Sequence, residues 1–335
     1  MIIGIQSSPK KKNNYTGIAS LLSSLTALMC NAKTLVIPFC NSNIPSVDKL
    51  LDYESIKEER ERDNKNYSFD KNEIDTLIRN AKISEIQRGV LETKSVSLIA
   101  TKDESILNII RPTLSPTFES NMVEEEDAIR KVLERANEDF QYVFVILPRQ
   151  DDLKKKILKY CNYNIICVPQ SDAVEAVTFA DVDLSKSTNE GQKDIFVVAD
   201  FDEESAYTIQ RMRRVYKTKC LYPCLHNSAY KDAFTDKKIL NFVRNNFKSS
   251  EEENNYQFFL QLKTLIEEFA TEVKADDYVD NYLVSESLLP NVFMEEKEIK
   301  TPTEMTENFE VVRTKGSFGK IKEEVKIKEP SEKEE

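Results

Sequence analysis

The apolar residues of this chain fall into two alternating patterns. Short, nearly continuous apolar runs rich in β-branched residues predict strands buried on both faces of a sheet. Between most of them, apolar residues recur every three or four positions, which predicts amphipathic helices. The predicted strands are residues 2–5, 34–39, 96–100, 142–147, 164–168 and 194–199, and the clearest helices are 16–29, 122–140, 203–215 and 254–270.

This order of elements predicts the class of fold. Strands that alternate with helices form parallel sheets, since each crossover helix returns the chain to the same end of the sheet. We therefore expect an α/β protein with a doubly wound, mostly parallel sheet and helices on both faces. The first helix is the most regular, with Ile18, Leu21, Leu22, Leu25 and Leu28 at helical spacing.

Two regions depart from the pattern and suggest the domain organisation. Residues 48–88 are highly charged and are expected to be an insertion within a domain that covers residues 1–274. Residues 275–335 mix acidic and basic residues and are expected to be a disordered tail. Within the tail, residues 279–293 keep some apolar side chains and are read either as a docking peptide or as an edge segment packed on its own domain.

Composition restricts the partners and the compartment. The net charge of −11 argues against non-specific binding to DNA, whose affinity is the sum of lysine and arginine contacts to phosphates. The six cysteines lie mostly in apolar runs without a zinc-site spacing, so we expect buried, reduced thiols. The first residues do not resemble a signal peptide, no 18-residue apolar stretch exists, and the tail has no apolar helix face. We expect a cytoplasmic protein without a direct membrane anchor.

The segment after the first strand, SSPKKKNNYTGIA from Ser7 to Ala19, raises the question of phosphate binding. Such loops normally need glycines, because the backbone must approach the anion closely. The whole chain has only six glycines, and only Gly17 lies here. Lys10, Lys11 and Lys12 are read either as a cationic substitute for the missing loop chemistry or as solvated lysines.

These residues, taken with the order of elements, resemble the ParA/MinD family of deviant-Walker P-loop ATPases. The run 2–5 matches the family's first strand, Ser7 and Ser8 its small pair, and Pro9 through Thr16 fill its phosphate loop without a gap. The segments 140–148, 164–170 and 220–234 are similar to later family motifs. The resemblance extends to about residue 272 and implies a P-loop NTPase-like fold.

The same resemblance implies that the family's catalytic groups are missing. The phosphate lysine falls on Asn14 and the magnesium-binding hydroxyl on Tyr15, while Thr16 keeps the second hydroxyl position. No acid occurs between Val36 and Asn41, and the later metal-binding aspartate falls on Ile146. We expect no catalytic residues, no metal site and no cofactor. The alternative is ATP with Mg²⁺ in a degenerate loop formed by Lys10, Lys11, Lys12, Asn14 and Thr16.

The sequence contains two other candidate sites, a lone histidine and a basic cluster. His226 is the only histidine, and with no supporting acid or oxyanion motif in the sequence it is read as a loop histidine. Arg211, Arg213, Arg214 and Lys217 form the densest basic cluster, with Lys219 beside them. ParA-like proteins can contact DNA in this region, so the cluster is a candidate DNA or partner patch, although there is no strong nucleic-acid signal.

Three functions follow as hypotheses. The first is a non-hydrolysing ParA/MinD-like protein, similar to degenerate TadZ/CpaE members. Such a protein would form a homodimer and bind protein partners, as a localisation or assembly scaffold for a pilus, secretion or conjugation machine. The second is a nucleotide-binding partition or positioning ATPase with an atypical phosphate loop. The third is an unrelated α/β enzyme with its site at the carboxyl ends of the strands. On the first hypothesis the protein is not an enzyme.

Overall fold

The computed structural model describes residues 1–7, 14–40, 46–52, 74–100, 104–112, 117–170, 191–270, 309–315 and 321–327. Eight strands in the described residues form one sheet. They are β1 (Ile2–Ser7), β2 (Thr34–Pro38), β3 (Val96–Ala100), β4 (Ser105–Ile109), β5 (Tyr142–Ile146), β6 (Tyr163–Val168), β7 (Lys193–Phe201) and β8 (Leu221–Leu225). Their order in the sheet is β3-β4-β2-β5-β1-β6-β7-β8. All neighbours pair in parallel except β3 and β4, which are antiparallel.

Helices lie on both faces of this sheet, as the sequence predicts. The helices in the described residues are α1 (Tyr15–Cys30), α2 (Val47–Leu50), α3 (Ile74–Ile83), α4 (Val90–Lys94), α5 (Phe118–Met122), α6 (Glu126–Asp139), α7 (Asp151–Leu158), α8 (Ile209–Val215), α9 (Ser228–Thr235), α10 (Ile239–Asn246) and α11 (Tyr256–Glu267). On one face α1, α2, α9, α10 and α11 pack on residues such as Ile5 and Phe144, and on the other α3 to α7 pack on Val143 and Val145. A smaller cluster joins α8 to the β6 and β7 side of the second face.

The structure confirms the predicted fold class and changes three details. All six predicted strands are present, but β4 and β8 were not predicted. The helix predicted to begin at residue 203 begins at Ile209. The Gln170 side chain accepts a hydrogen bond from the backbone N–H of Asp202 (2.8 Å) and donates one to the backbone C=O of Asp202 (2.7 Å), and these bonds hold the preceding segment in a turn. The helix predicted over 122–140 is divided into α5 and α6.

The first helix is the centre of the domain. All sixteen residues of α1 are buried, because the helix lies between the sheet and the pair α10 and α11. Its position directly after β1 fixes the place where a phosphate loop would lie.

In both outer strands of the sheet, some backbone groups are not available to pair with a further strand. In β3 the pairing register shifts around Leu98, and the Leu98 carbonyl accepts a hydrogen bond from Arg244 at 2.9 Å. In β8 a proline, Pro223, lacks the N–H that a further strand would need. The Leu221 carbonyl of β8 accepts a hydrogen bond from Arg213 at 3.1 Å.

The chain divides into two compact units, Met1–Leu288 and Leu289–Glu335. In the second unit, β9 (Phe309–Lys315) and β10 (Ile321–Ile327) pair antiparallel, which the sequence analysis did not predict. The boundary predicted after residue 274 lies outside the described residues, as does most of the insertion predicted over 48–88, so both remain predictions. None of the described helices is long and apolar enough to cross a membrane.

Candidate functional site

The candidate site lies where the parallel strands end, an edge of the sheet that we call the carboxyl edge. The predicted phosphate-loop residue Asn14 is found there, at the start of α1. Its side-chain Oδ1 accepts a hydrogen bond from Gly17 N–H at 3.1 Å, and its backbone carbonyl accepts one from Ile18 N–H at 3.0 Å. Asn14 is therefore the N-cap of α1, and its side chain occupies a donor that a bound anion would otherwise use.

A second residue, Tyr230 of α9, holds this cap in place. The Asn14 side-chain N–H donates to the Tyr230 hydroxyl at 3.3 Å, and the Tyr230 ring packs against Phe242 and Phe258. A Cβ atom at Gly17 would lie 2.3 Å from Asn14 Oδ1 and 2.6 Å from the Tyr230 hydroxyl. Glycine at position 17 thus leaves room for this contact between the cap and α9.

The two residues that follow Asn14 point into the protein. Tyr15 is 2% exposed and Thr16 is 1% exposed, and neither hydroxyl makes a hydrogen bond of ordinary geometry with the described residues. Burial raises the pKa of Tyr15 above its usual range, and the nearby thiol of Cys40 raises it further without forming such a bond. A phenol held neutral in the core is not a magnesium ligand, since Mg²⁺ prefers solvated oxygen ligands such as carboxylates.

The structure also brings an unexpected carboxylate to this region. Asp48, in the first turn of α2, is 6% exposed, and its Oδ1 has no hydrogen-bond partner in the described part of the chain. Burial raises the pKa of Asp48, while Ser46 and Lys49 lower it in part. The pKa of the nearby Cys40 thiol is raised to about 12, mainly by burial, and the negative charge of Asp48 contributes to this increase. Asp48 lies beyond residues 36–41, the segment in which the resemblance places the family's acids, and so was not predicted as a site residue.

The segment after β5 is fixed by a different acid. Glu119 of α5 accepts hydrogen bonds through Oε2 from the backbone N–H groups of Arg149 (3.2 Å) and Gln150 (3.1 Å). Gln150 is the N-cap of α7, so Glu119 takes the place of a capping side chain. The Arg149 side chain is exposed and lies close enough to the Tyr15 hydroxyl to lower its pKa slightly against the effect of burial.

His226 does have a supporting acid. Its Nδ1 lies 2.8 Å from Asp200 Oδ1, and Lys231 Nζ lies 3.1 Å from Asp200 Oδ2. Asp200 has a positive φ of 57° at a shift in the β7–β8 register. All three side chains are about half exposed, so the cluster is a surface ion-pair network. Sequence reasoning missed Asp200, because the two residues are 26 positions apart.

The other predicted site residues lie in two places. Lys10, Lys11 and Lys12 lie outside the described residues, so their role remains a prediction. The basic cluster lies on and after α8, at the β8 side of the sheet. There Arg213 binds the Leu221 carbonyl, and the Arg211 guanidinium lies 4.5 Å above the Tyr207 ring. Arg214 and Lys217 are exposed beside them. Within the described ranges no group of three or more His, Cys, Asp or Glu residues is arranged to hold a metal ion.

Comparison with solved structures agrees with this architecture. A ParA family ATPase from Chlorobium tepidum TLS superimposes with a TM-score of 0.58 at 12% identity, covering 78% of this chain and 95% of that one. A plasmid partition protein from Borrelia burgdorferi B31 bound to AMPPNP gives 0.54 at 12% identity, covering 80% and 98%. A MinC:MinD cell division complex from Aquifex aeolicus gives 0.52 at 12% identity, covering 82% and 98%.

The fold is therefore the P-loop NTPase fold of ParA and MinD ATPases. At these identities the likeness concerns the fold alone. Neither a scan of protein-family models nor a search of curated proteins gives a match.

Proposed function

We propose that this protein is a non-hydrolysing relative of the ParA/MinD ATPases that acts as a localisation or assembly scaffold. The observation that carries the proposal is the self-capped start of α1. The residue at the position of the phosphate lysine, Asn14, bonds the helix N-terminus and Tyr230 instead of facing a ligand. A P-loop needs those backbone N–H groups for phosphate oxygens.

The remaining groups of the carboxyl edge favour the same proposal. Phosphoryl transfer depends on positioned cations and a metal that neutralise the charge developing on the phosphate oxygens. Tyr15 is buried, Glu119 accepts hydrogen bonds from backbone N–H groups, and Asp200 binds His226 and Lys231. Asp48 Oδ1 has no hydrogen-bond partner in the described residues, but this side chain is only 6% exposed. The described residues of this edge do not fit ATP with Mg²⁺ in the manner of a P-loop, which supports a protein without hydrolytic activity.

The proposal is tested by titrating the protein with a fluorescent ATP analogue, with and without Mg²⁺, and by measuring phosphate release. We expect no saturable binding up to about 1 mM, which corresponds to a binding free energy weaker than about −4 kcal/mol. We also expect no release of phosphate above background.

The second candidate function, a nucleotide-binding positioning ATPase with an atypical loop, predicts the opposite result. Three observations favour it: the exposed Arg149 beside Tyr15, the retained Thr16, and the AMPPNP bound to the structural neighbour from Borrelia burgdorferi. Micromolar binding that is lost in the triple variant Lys10/Lys11/Lys12→Ala would establish this alternative. The matched control is Lys154/Lys155/Lys156→Ala, which removes the same charge from the run of three lysines in α7.

A scaffold needs surfaces rather than catalytic groups. We propose a homodimer that binds protein partners, with the basic cluster of Arg211, Arg213, Arg214 and Lys217 as a partner patch and a pilus, secretion or conjugation machine as the assembly served. Light scattering tests the dimer. A mass equal to two chains without nucleotide supports the proposal, whereas a monomer that dimerises only with ATP favours the second candidate.

A further inference from the structure

A cavity of about 400 Å³ opens at the opposite side of the sheet, where β1, β6 and β7 begin. We call this side the amino edge. The described residues that line the cavity are Met1, Asn137, Asn162, Tyr163, Gly191 and Lys193. Its volume is in the range of small-molecule sites in proteins.

The polar side chains of this lining are mainly hydrogen-bond donors. Asn162 Oδ1 accepts a hydrogen bond from Ile2 N–H at 2.8 Å, which fixes the side-chain amide and leaves its N–H₂ group as the free end. Lys193 is exposed and makes no ion pair with the described residues, and Asn137 adds a second exposed amide. No carboxylate is found among the described lining residues.

The described lining of the cavity offers hydrogen-bond donors and no acid, although the chain has a net charge of −11. An ammonium group and two amide groups that face a shared space complement an anion, because each can donate to carboxylate or phosphate oxygens. We propose that the amino-edge cavity binds a small anion, a carboxylate or phosphate attached to a flat ring. This inference goes beyond the proposed function and does not depend on it.

The walls of the cavity favour a ligand with a flat ring. The half-buried Tyr163 ring forms one wall, and Lys193 Nζ lies 5.8 Å from its centre. A cation near an aromatic face places a ligand's anionic group next to a surface on which a flat ring can stack. A bare phosphate would leave most of the volume empty.

Benzoate and benzamidine test the sign of the ligand, since they share a ring and carry opposite charges. Ligand-induced shifts of the Gly191 and Lys193 amide signals would be followed by NMR. We expect benzoate to shift both signals saturably, with half-saturation below about 10 mM, a threshold set by the weakness of single exposed ion pairs. Benzamidine should produce no saturable shift. Inorganic phosphate should bind more weakly than benzoate.

Two variants locate the site. Lys193→Glu reverses the charge and should abolish benzoate binding. Asn162→Asp keeps the acceptor for Ile2 N–H but replaces the outward donor with a negative oxygen, and should weaken binding at least about tenfold, as a charged hydrogen bond is lost. Lys219→Ala, at an exposed lysine elsewhere, should bind benzoate like the parent. Circular dichroism and thermal unfolding verify that each variant is folded.

The proposal fails if benzamidine binds as well as benzoate, if neither benzoate nor phosphate gives a saturable shift, or if Lys193→Glu binds benzoate normally. None of these results depends on ATP, so they leave the nucleotide titration of the proposed function untouched.

Discussion

The two edges of the central sheet differ in how their polar groups are used. At the carboxyl edge, several partly exposed side chains bind one another or nearby backbone: Asn14 binds Gly17 and Tyr230, Gln170 binds Asp202, and Asp200 binds His226 and Lys231. Asp48 Oδ1 and the hydroxyls of Tyr15 and Thr16 make no such bond with the described residues, but these three side chains are buried. At the amino edge, Asn162 uses one end of its amide and Lys193 has no ion pair with the described residues. In open α/β sheets the carboxyl edge is the usual ligand site.

This difference indicates which edge favours a ligand. Donors and acceptors that already bind within the protein gain little by exchanging those bonds for bonds to a ligand, whereas groups that face an open cavity gain a partner. The carboxyl edge has therefore become a structural joint between α1 and α9. The amino edge keeps donors that make no ion pair with the described residues and that a ligand can use.

The largest test of this joint is Tyr230→Ala. Removing the ring from its contacts with Phe242 and Phe258 should lower the free energy of unfolding by about 3–4 kcal/mol, the usual cost of a large cavity. Tyr230→Phe keeps the ring and removes only the hydroxyl bonded to Asn14, so it should cost about 1 kcal/mol. Urea denaturation measures both. Equal costs would show that packing of the ring is not the main contribution.

The buried carboxyl of Asp48 predicts a dependence on pH. Because burial raises its pKa in the folded state, the folded protein binds this proton more tightly than the unfolded chain. Stability is therefore lost as pH rises from the ordinary aspartate range through the raised pKa. Asp48→Asn has no proton to lose, so its stability relative to the parent should increase as pH rises from the ordinary aspartate range through the raised pKa.

Urea denaturation at several pH values between 4 and 8 measures this difference, with Asp152→Asn at an exposed position of α7 as the control. A parent and an Asp48→Asn variant that follow the same pH profile would contradict the assignment of Asp48 as a buried acid with a raised pKa.

The cap itself should have a smaller effect. Asn14→Ala removes the acceptor for Gly17 N–H and should cost about 1 kcal/mol of unfolding free energy, as other N-cap substitutions do. Asn14→Asp keeps an acceptor oxygen at the helix N-terminus and should remain close to the parent. If Asn14→Ala is neutral, Asn14 does not cap α1 in solution.

The smallest effect on the free energy of unfolding is expected for two lysine variants, one at each edge. Lys231→Ala removes an exposed ion pair with Asp200 and should cost at most about 0.5 kcal/mol. Lys193→Ala removes no ion pair with the described residues, only the exposed contact of its ammonium group with the Tyr163 ring, and should cost no more than Lys231→Ala. A larger loss for Lys193→Ala would show that this side chain has a structural partner, and would remove the contrast between the edges.

The fold could be predicted from the sequence because its central strands are continuous apolar runs and α1 has a regular helical period. The two strands that were missed are marginal by the same measures. In β4 the run SILNI contains a buried asparagine, Asn108, and in β8 the run LYPCL contains Pro223. Prolines are found mainly on edge strands, and β8 is one.

The candidate site was only partly predictable, since its contacts join residues far apart in the chain. The replacement of the phosphate lysine by Asn14 was visible in the sequence, but its partner Tyr230 is 216 positions away. The pairing of His226 with Asp200 depends likewise on the register of β7 and β8. Local spacing contains no information about either contact.

The outer strands β3 and β8 bear on how copies of this protein can assemble. Pro223 offers no N–H, and the carbonyls of Leu98 and Leu221 are already bonded to Arg244 and Arg213. A ninth strand would therefore find few free backbone groups at either side of the sheet, which is how natural sheets avoid growing edge to edge. Copies of the first unit should therefore associate through helices and loops, and the sheets of different copies should not pair with one another.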